Sequence, residues 1–376
     1  MLLGIDSAVA RLIADADCNL KRKQIFSQSV FLIFLSLISI VPILYYFRES
    51  ILINYIGDSS HSYLFSIVLC NLFLNLFIQN IIGIFKWMFE KVNYFILSFG
   101  HALLTILVSL FLLVKLDYGL IAIFYGQLFS SLFFCIVGFL LVGKYLTFTL
   151  GKSYMKAFFN IGIPVCLISC LGCLIPIIER NFISKYLSLS DIAVYSVALK
   201  IVLILALITN TFNTAWSPFA LSIYKKQNSD IMFKKIFLYT SSFLFLIVLL
   251  LSFFSQSLIE ILAGSDYYES SILVAPLLLS RFYTFSSRFI SIGIFIKKKN
   301  IFLIIPQVIY IISFFIIAPI LIQKDSIMGF CKAILICSLI SFFIHLILVH
   351  KISEIRFKVI YYIPVLLFTW YSVFDY

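Results

Sequence analysis

The chain reads as an all-α polytopic membrane protein, and three observations point there. Ten or eleven long apolar runs follow one another with short loops between them. Hydrophobic residues make up 63% of the chain and charged ones 12%, against roughly 45–50% and about 25% in soluble domains. The charge of the loops alternates: every second loop is basic, beginning with Lys21-Arg22-Lys23 and ending with Lys351, Arg356 and Lys358. Cytoplasmic loops retain Lys and Arg during membrane insertion, which gives a polytopic chain this alternation.

The elements follow in order. A span needs about 20 mostly apolar residues to cross roughly 30 Å of hydrocarbon. Runs of that kind lie near 24–47, 62–85, 94–115, 118–142, 157–178, 192–214, 236–254, 270–296, 300–322 and 326–350, with a shorter one at 357–374. Residues 1–14 have the character of the second half of a further span. With 15–23 on the cytoplasmic side, the basic groups Lys86 and Lys91, Lys144 to Lys156, Lys225 to Lys235, and Lys297-Lys298-Lys299 all fall inside. Eighteen of the 28 Lys and Arg lie in these inner loops. The intervening outer loops carry Glu49, Asp58, Asp117, Glu179, Asp191, Glu260, Asp266, Glu269 and Asp325. The net charge of +12 is therefore topology and not a nucleic-acid-binding stripe.

No loop is long enough to fold as a domain; the longest outer ones, 48–61 and 255–269, have about 15 residues. The polar stretch 144–156 is the expected lobe boundary. It separates an N-terminal helical lobe (1–150) from a C-terminal lobe (151–350), with an additional terminal helix in 351–376. Prolines fall inside spans at Pro42, Pro164, Pro176, Pro276, Pro306 and Pro319, where membrane helices tolerate them as kinks. None of the eight cysteines falls in an outer loop, which argues against a disulfide framework. Cys166, Cys170 and Cys173 share a helical face and read as small-residue packing.

Ionisable groups inside spans are costly and by default functional. Lys200 is nine residues into its span, about 13 Å deep and near the midplane. Arg281 sits about 16 Å into its own span, and Arg288 lies two turns further on nearly the same face. Ser280, Thr284, Ser287 and Ser291 flank the two arginines and widen the polar sector to about 120°. Asn71, Asn75 and Gln79 form an uncharged stripe at i, i+4, i+8. Asp6 and Arg11 share the first segment, about 140° apart around the helix. The functional reading is a water-filled cavity lined by cations and suited to a phosphate or pyrophosphate headgroup. The alternative is that each cation meets a backbone carbonyl or snorkels to a headgroup. Snorkelling is the expectation for Lys332, near the outer end of its span, and hydrogen-bonded packing for His101 and His345, with proton relay as their alternative; Asp6, Asn71, Asn75 and Gln79 are the candidate coupling or cavity polar residues.

Nothing in the sequence points to catalysis or to a cofactor. Gly151-Lys152-Ser153 has the ending of a phosphate-binding loop, but Leu146 stands where the first glycine is required. There is no paired-histidine zinc motif and no serine nucleophile elbow.

Three stretches carry a family resemblance. Leu3-Gly4-Ile5-Asp6-Ser7-Ala8 with Arg11 resembles the "LGLDSA…R" segment of polysaccharide exporters. Glu179-Arg180-Asn181-Phe182-Ile183 with Lys185-Tyr186-Leu187 is similar to their "DR-aromatic-hydrophobic…KYL" stretch. Ile192 to Ser196 with Lys200-Ile201, continuing to Phe212-Asn213-Thr214-Ala215-Trp216-Ser217-Pro218-Phe219, resembles the "GIYSLAYKI…FNLAWSPF" signature of Wzx-type O-antigen and repeat-unit flippases. These belong to the multidrug/oligosaccharidyl-lipid/polysaccharide (MOP) exporter superfamily.

The resemblance implies a MATE-like two-lobe helical bundle, here of about 11–12 transmembrane helices. The family pattern has about one and a half further helices before the segment at Gly4, so N-terminal truncation is the expectation. The implied activity is flipping of undecaprenyl-pyrophosphate-linked oligosaccharide across the bacterial cytoplasmic membrane by alternating access. Membrane lipids, a polysaccharide polymerase and chain-length proteins are the implied partners, for O-antigen or capsule synthesis. By matching position, Asp6, Arg11, Arg180 and Lys200 are the motif charges; Arg281 and Arg288 rest on depth alone. Other readings are a multidrug exporter of the same superfamily and, in a different class, a membrane glycan polymerase or acyltransferase.

The topology is testable by thiol labelling in a background lacking the native cysteines. Cys placed at Ser257 is expected to react from outside and Cys at Asn228 only from inside; the reverse pattern would overturn the orientation.

Overall fold

The computed structural model describes residues 4–16, 18–55, 62–147, 154–357 and 363–374. Leu3 of the first motif, Asp58, the Gly151-Lys152-Ser153 stretch and Lys358 lie outside the described residues. The architecture is helical, with α1 (Ile5–Asp15), α2 (Asn19–Tyr46), α3 (Arg48–Tyr55), α4 (Ser62–Trp87), α5 (Lys91–Lys115), α6 (Ile121–Val142) and α7 (Met155–Tyr186) in the first part. Then come α8 (Leu189–Ile223), α9 (Ser229–Phe253), α10 (Ser255–Ala263), α11 (Ser270–Ile290), α12 (Ile292–Ile296), α13 (Ile304–Ile352) and α14 (Ile363–Phe374). Eight helical segments are long and apolar enough to cross a membrane. The last of them, Asn300–Ile352, is a two-armed hairpin. The chain is a multi-pass membrane protein. The chain divides into two compact units, Met1–Cys166 and Leu167–Tyr376.

In the first unit, α5 shows how the solvent shapes the element. Only Leu97 and His101 are buried along its 25 residues, and much of its apolar surface, including Phe95, Phe99, Ile106 and Phe111, is exposed. Such a helix is stable only where hydrocarbon covers it. It meets α6 through small residues: a Cβ on Gly126 would strike the Ser109 backbone, and one on Gly100 the Phe134 ring. Close approach of this kind is the usual device for holding membrane helices together. His101 then pairs with Ser131 Oγ at 3.0 Å while Ser130 Oγ donates to the His101 carbonyl at 2.8 Å. Gly4 starts α1 with φ +74 and packs against the Gly162 backbone, a place where any side chain would collide.

The second unit is organised around α11, which is buried from Ser270 to Ile290 along most of its length. Phe289 stacks on Trp216 of α8 with ring centroids 4.0 Å apart, and Phe237 of α9 packs 5.0 Å from the same ring. α8 begins at a capping box. Asp191 N donates to Ser188 Oγ at 3.2 Å, and Ser188 N donates back to Asp191 Oδ2 at 3.0 Å. The run 270–296 is divided by Ser291 into α11 and α12, and the outer segment after α9 folds as the short helix α10.

Within α13, Asp325 (φ −126, ψ 19) and Ser326 (φ +47) leave helical geometry, and the chain doubles back. The arms are antiparallel, because Ser341 Oγ donates to the Pro306 carbonyl at 3.3 Å. Lys332 does not snorkel: it is buried and its Nζ pairs with Asp325 Oδ2 at 3.1 Å, closing the turn. Gly329 lies against the Leu321 carbonyl, where a Cβ would overlap backbone.

Gly329→Ala is expected to destabilise the purified protein by about 1–3 kcal/mol, the usual cost of overpacking. Gly143→Ala, where nothing lies within 4 Å, serves as the control. Equal melting temperatures for the two variants would contradict this account of the turn.

Candidate functional site

The second unit contains a cavity of about 570 Å³. Its walls follow helical periodicity. α11 contributes Leu277, Ser280, Arg281, Thr284, Ser287 and Arg288, successive members of one i, i+3, i+4 face. α7 contributes Pro176, Glu179 and Arg180, and α8 contributes Tyr195 and Ser196. The two arms of α13 contribute Gln307 and Tyr310, then Ser338, Ser341 and His345. Four helices, one of them through both its arms, thus turn polar residues toward a common space.

The hydroxyls on α11 are tied to their own helix. Ser280 Oγ donates to Leu277 O at 2.7 Å, Thr284 Oγ1 to Ser280 O at 2.9 Å and Ser287 Oγ to Tyr283 O at 2.9 Å. With their protons committed, they present oxygen lone pairs as acceptors. His345 Nδ1 donates to the Ser341 carbonyl at 2.8 Å, which fixes the ring and leaves Nε2 for the cavity. Tyr310 OH donates to Glu179 Oε1 at 2.8 Å, linking the first arm of α13 to α7.

The arginines are different. Arg180, Arg281 and Arg288 have no hydrogen-bond or ion-pair partner among the described residues. Arg281 is within electrostatic range of both Glu179 and Arg288. The lining therefore holds three guanidiniums and one carboxylate. Each guanidinium offers five N–H donors in a planar fork, and two of the forks rise from one helix face. An arrangement of repelling, unpaired cations can be relieved by a bound anion with several oxygens, such as a phosphate or pyrophosphate.

Of the residues singled out from the sequence, Arg180, Arg281 and Arg288 are brought together here. Lys200 is exposed on α8, one turn beyond Ser196, and does not line this cavity. The others belong to the first unit. Asp6 accepts from Trp87 Nε1 at 2.9 Å, and Arg11 pairs with Asp15 at 2.8 Å. Asn71 Nδ2 donates to the Phe124 carbonyl at 2.9 Å, joining α4 to α6. Asn75 is half-buried and Gln79 exposed.

Sequence reasoning did not place Glu179, Gln307 or Tyr310 in a site, and it read His345 as a packing histidine with proton relay as the alternative. Glu179 was expected in a loop after a span ending at 178, but α7 continues to Tyr186 and carries it inside the helix. Spacing was the available signal: Gln307 and Tyr310 are three apart, and Ser338, Ser341 and His345 follow at i, i+3, i+7.

Comparison with solved structures shows the fold. A point mutant of the Vibrio cholerae MATE transporter VcmN superposes with a TM-score of 0.81 at 12% identity, covering 93% of this chain and 84% of that one. An outward-facing multidrug resistance MATE family transporter of the MOP superfamily gives 0.76 at 14% identity, over 93% and 83%. A MATE structure in the bent conformation gives 0.73 at 15%, over 93% and 83%. The chain has the MATE transporter fold. Residues 1–224, more than half of the chain, match the family model described as "Polysaccharide biosynthesis protein", and the chain belongs to that family. A search of curated proteins finds no match.

Proposed function

We propose that the protein is a flippase for a polyprenyl-pyrophosphate-linked oligosaccharide, working by alternating access in the bacterial cytoplasmic membrane. The observation that carries this reading is the cavity with three guanidiniums, none of them ion-paired among the described residues. The diphosphate would bind Arg281 and Arg288 while the polyprenyl tail stays in hydrocarbon. The hydroxyls of Ser280, Thr284 and Ser287 and the Nε2 of His345 line the space left for sugar oxygens and hydroxyls. Arg180 and, outside the cavity, Lys200 are proposed as further headgroup contacts along the path. Membership of a polysaccharide biosynthesis family and a transporter fold both support moving such a substrate rather than making it.

A multidrug exporter built for cationic compounds is the weaker reading, because those substrates would be repelled by this lining.

In a strain that depends on this chain for surface glycan, Arg281→Ala and Lys200→Ala are each expected to abolish the glycan with protein level intact. The loss of one charge-assisted contact, about 1.5–3 kcal/mol, corresponds to roughly 10- to 100-fold weaker headgroup binding. Normal surface glycan with Arg281→Ala would overturn the cavity reading.

A further inference from the structure

Glu179 does not fit an anion site at first sight. A carboxylate in a cavity meant for phosphate repels the ligand, yet this one is held there: Tyr310 reaches it from another helix with a 2.8 Å hydrogen bond. Its neighbour Arg180 is about 100° away around α7, so the two side chains leave the helix in different directions. The cation that Glu179 does feel is Arg281, across the cavity on α11. The arrangement therefore spans three elements: α13 tethers a carboxylate on α7 within reach of a guanidinium on α11.

We propose that Glu179 is a tethered counter-anion that sets which headgroup charge the cavity accepts. This rests on the anion reading given above and names what selects among anions. In the empty cavity the carboxylate partly neutralises Arg281; when a phosphate arrives, it competes with Glu179 for the same guanidinium. With Glu179 ionised, the three lining arginines and one glutamate carry a formal charge of two positive. A pyrophosphate substituted at both ends, as in a lipid-linked saccharide, carries two negative charges. A pyrophosphate monoester, the bare lipid carrier, ionises up to three times. Glu179 thus disfavours the bare carrier relative to the loaded one. It also weakens the bound state enough for release, since it stands ready to replace the departing phosphate. Tyr310 is a positioning residue: its hydroxyl draws the carboxylate toward α13 and limits its hold on Arg281.

The test uses the full chain purified in detergent and two probes, farnesyl pyrophosphate and a farnesyl-pyrophosphoryl monosaccharide, titrated calorimetrically. The native chain is expected to prefer the disubstituted probe. Glu179→Gln should tighten both, the monoester by about tenfold or more, as removal of one facing charge in a partly desolvated site implies, so that the preference shrinks or reverses. Tyr310→Phe should move the other way, weakening both probes, because the untethered carboxylate then closes on Arg281. Opposite signs separate this role from a structural one, in which both variants would lose binding together. If the native chain binds and Arg281→Ala does not, but Glu179→Gln keeps the native preference or binds more weakly, Glu179 is not the selector and only this inference falls. If the native chain binds neither probe, the anion reading falls and takes the inference with it.

Discussion

An ionised group inside a membrane must find a partner within the protein, and this requirement sorts the charges of the chain. Asp6 receives the Trp87 indole N–H, Arg11 holds Asp15, and Lys332 closes on Asp325. Each of these is answered by a neighbour that fixes helix ends or turns. Arg281 and Arg288 are not answered in that way; they share a cavity and repel one another. The contrast separates charges answered within the protein from the two that the proposed reading assigns to a ligand.

The same requirement explains the shape of the second unit. α11 carries two arginines and a run of hydroxyls, which makes it a poor lipid-facing helix and an adequate central one. On its apolar side its own Phe289 packs against Trp216 of α8 and Phe237 of α9. Its polar side opens on the cavity, and the doubled α13 supplies the opposite wall. The Asp325–Lys332 pair and the tight Gly329 turn hold the two arms together. The distance between the site and this turn does not weaken the link, because the wall exists only while the arms stay paired.

Most spans were legible because hydropathy over about 20 residues reports directly on the hydrocarbon thickness; the run 270–296, which folds as α11 and α12, is not among the eight segments long and apolar enough to cross. The arginines of α11 were legible from depth and helical spacing. Glu179 was not. Hydropathy ends at the first charged pair, Glu179-Arg180, whereas the hydrogen-bonded helix runs on to Tyr186. Lys332 was misread for a related reason: its partner Asp325 is seven residues away and meets it only after the turn at Ser326. Gln307, Tyr310 and His345 sit in apolar runs whose pairing into a hairpin leaves no local trace. What the sequence lacked in each case was tertiary pairing, not residue chemistry.

The central claim is that paired arginines on α11 bind the anionic headgroup that is moved. The most direct measurement is translocation of a fluorescent polyprenyl-pyrophosphoryl saccharide in proteoliposomes, comparing the native chain with an Arg281→Gln/Arg288→Gln variant inserted to the same level. Loss of translocation in the variant is the predicted result. A variant that moves the lipid at the native rate would contradict it.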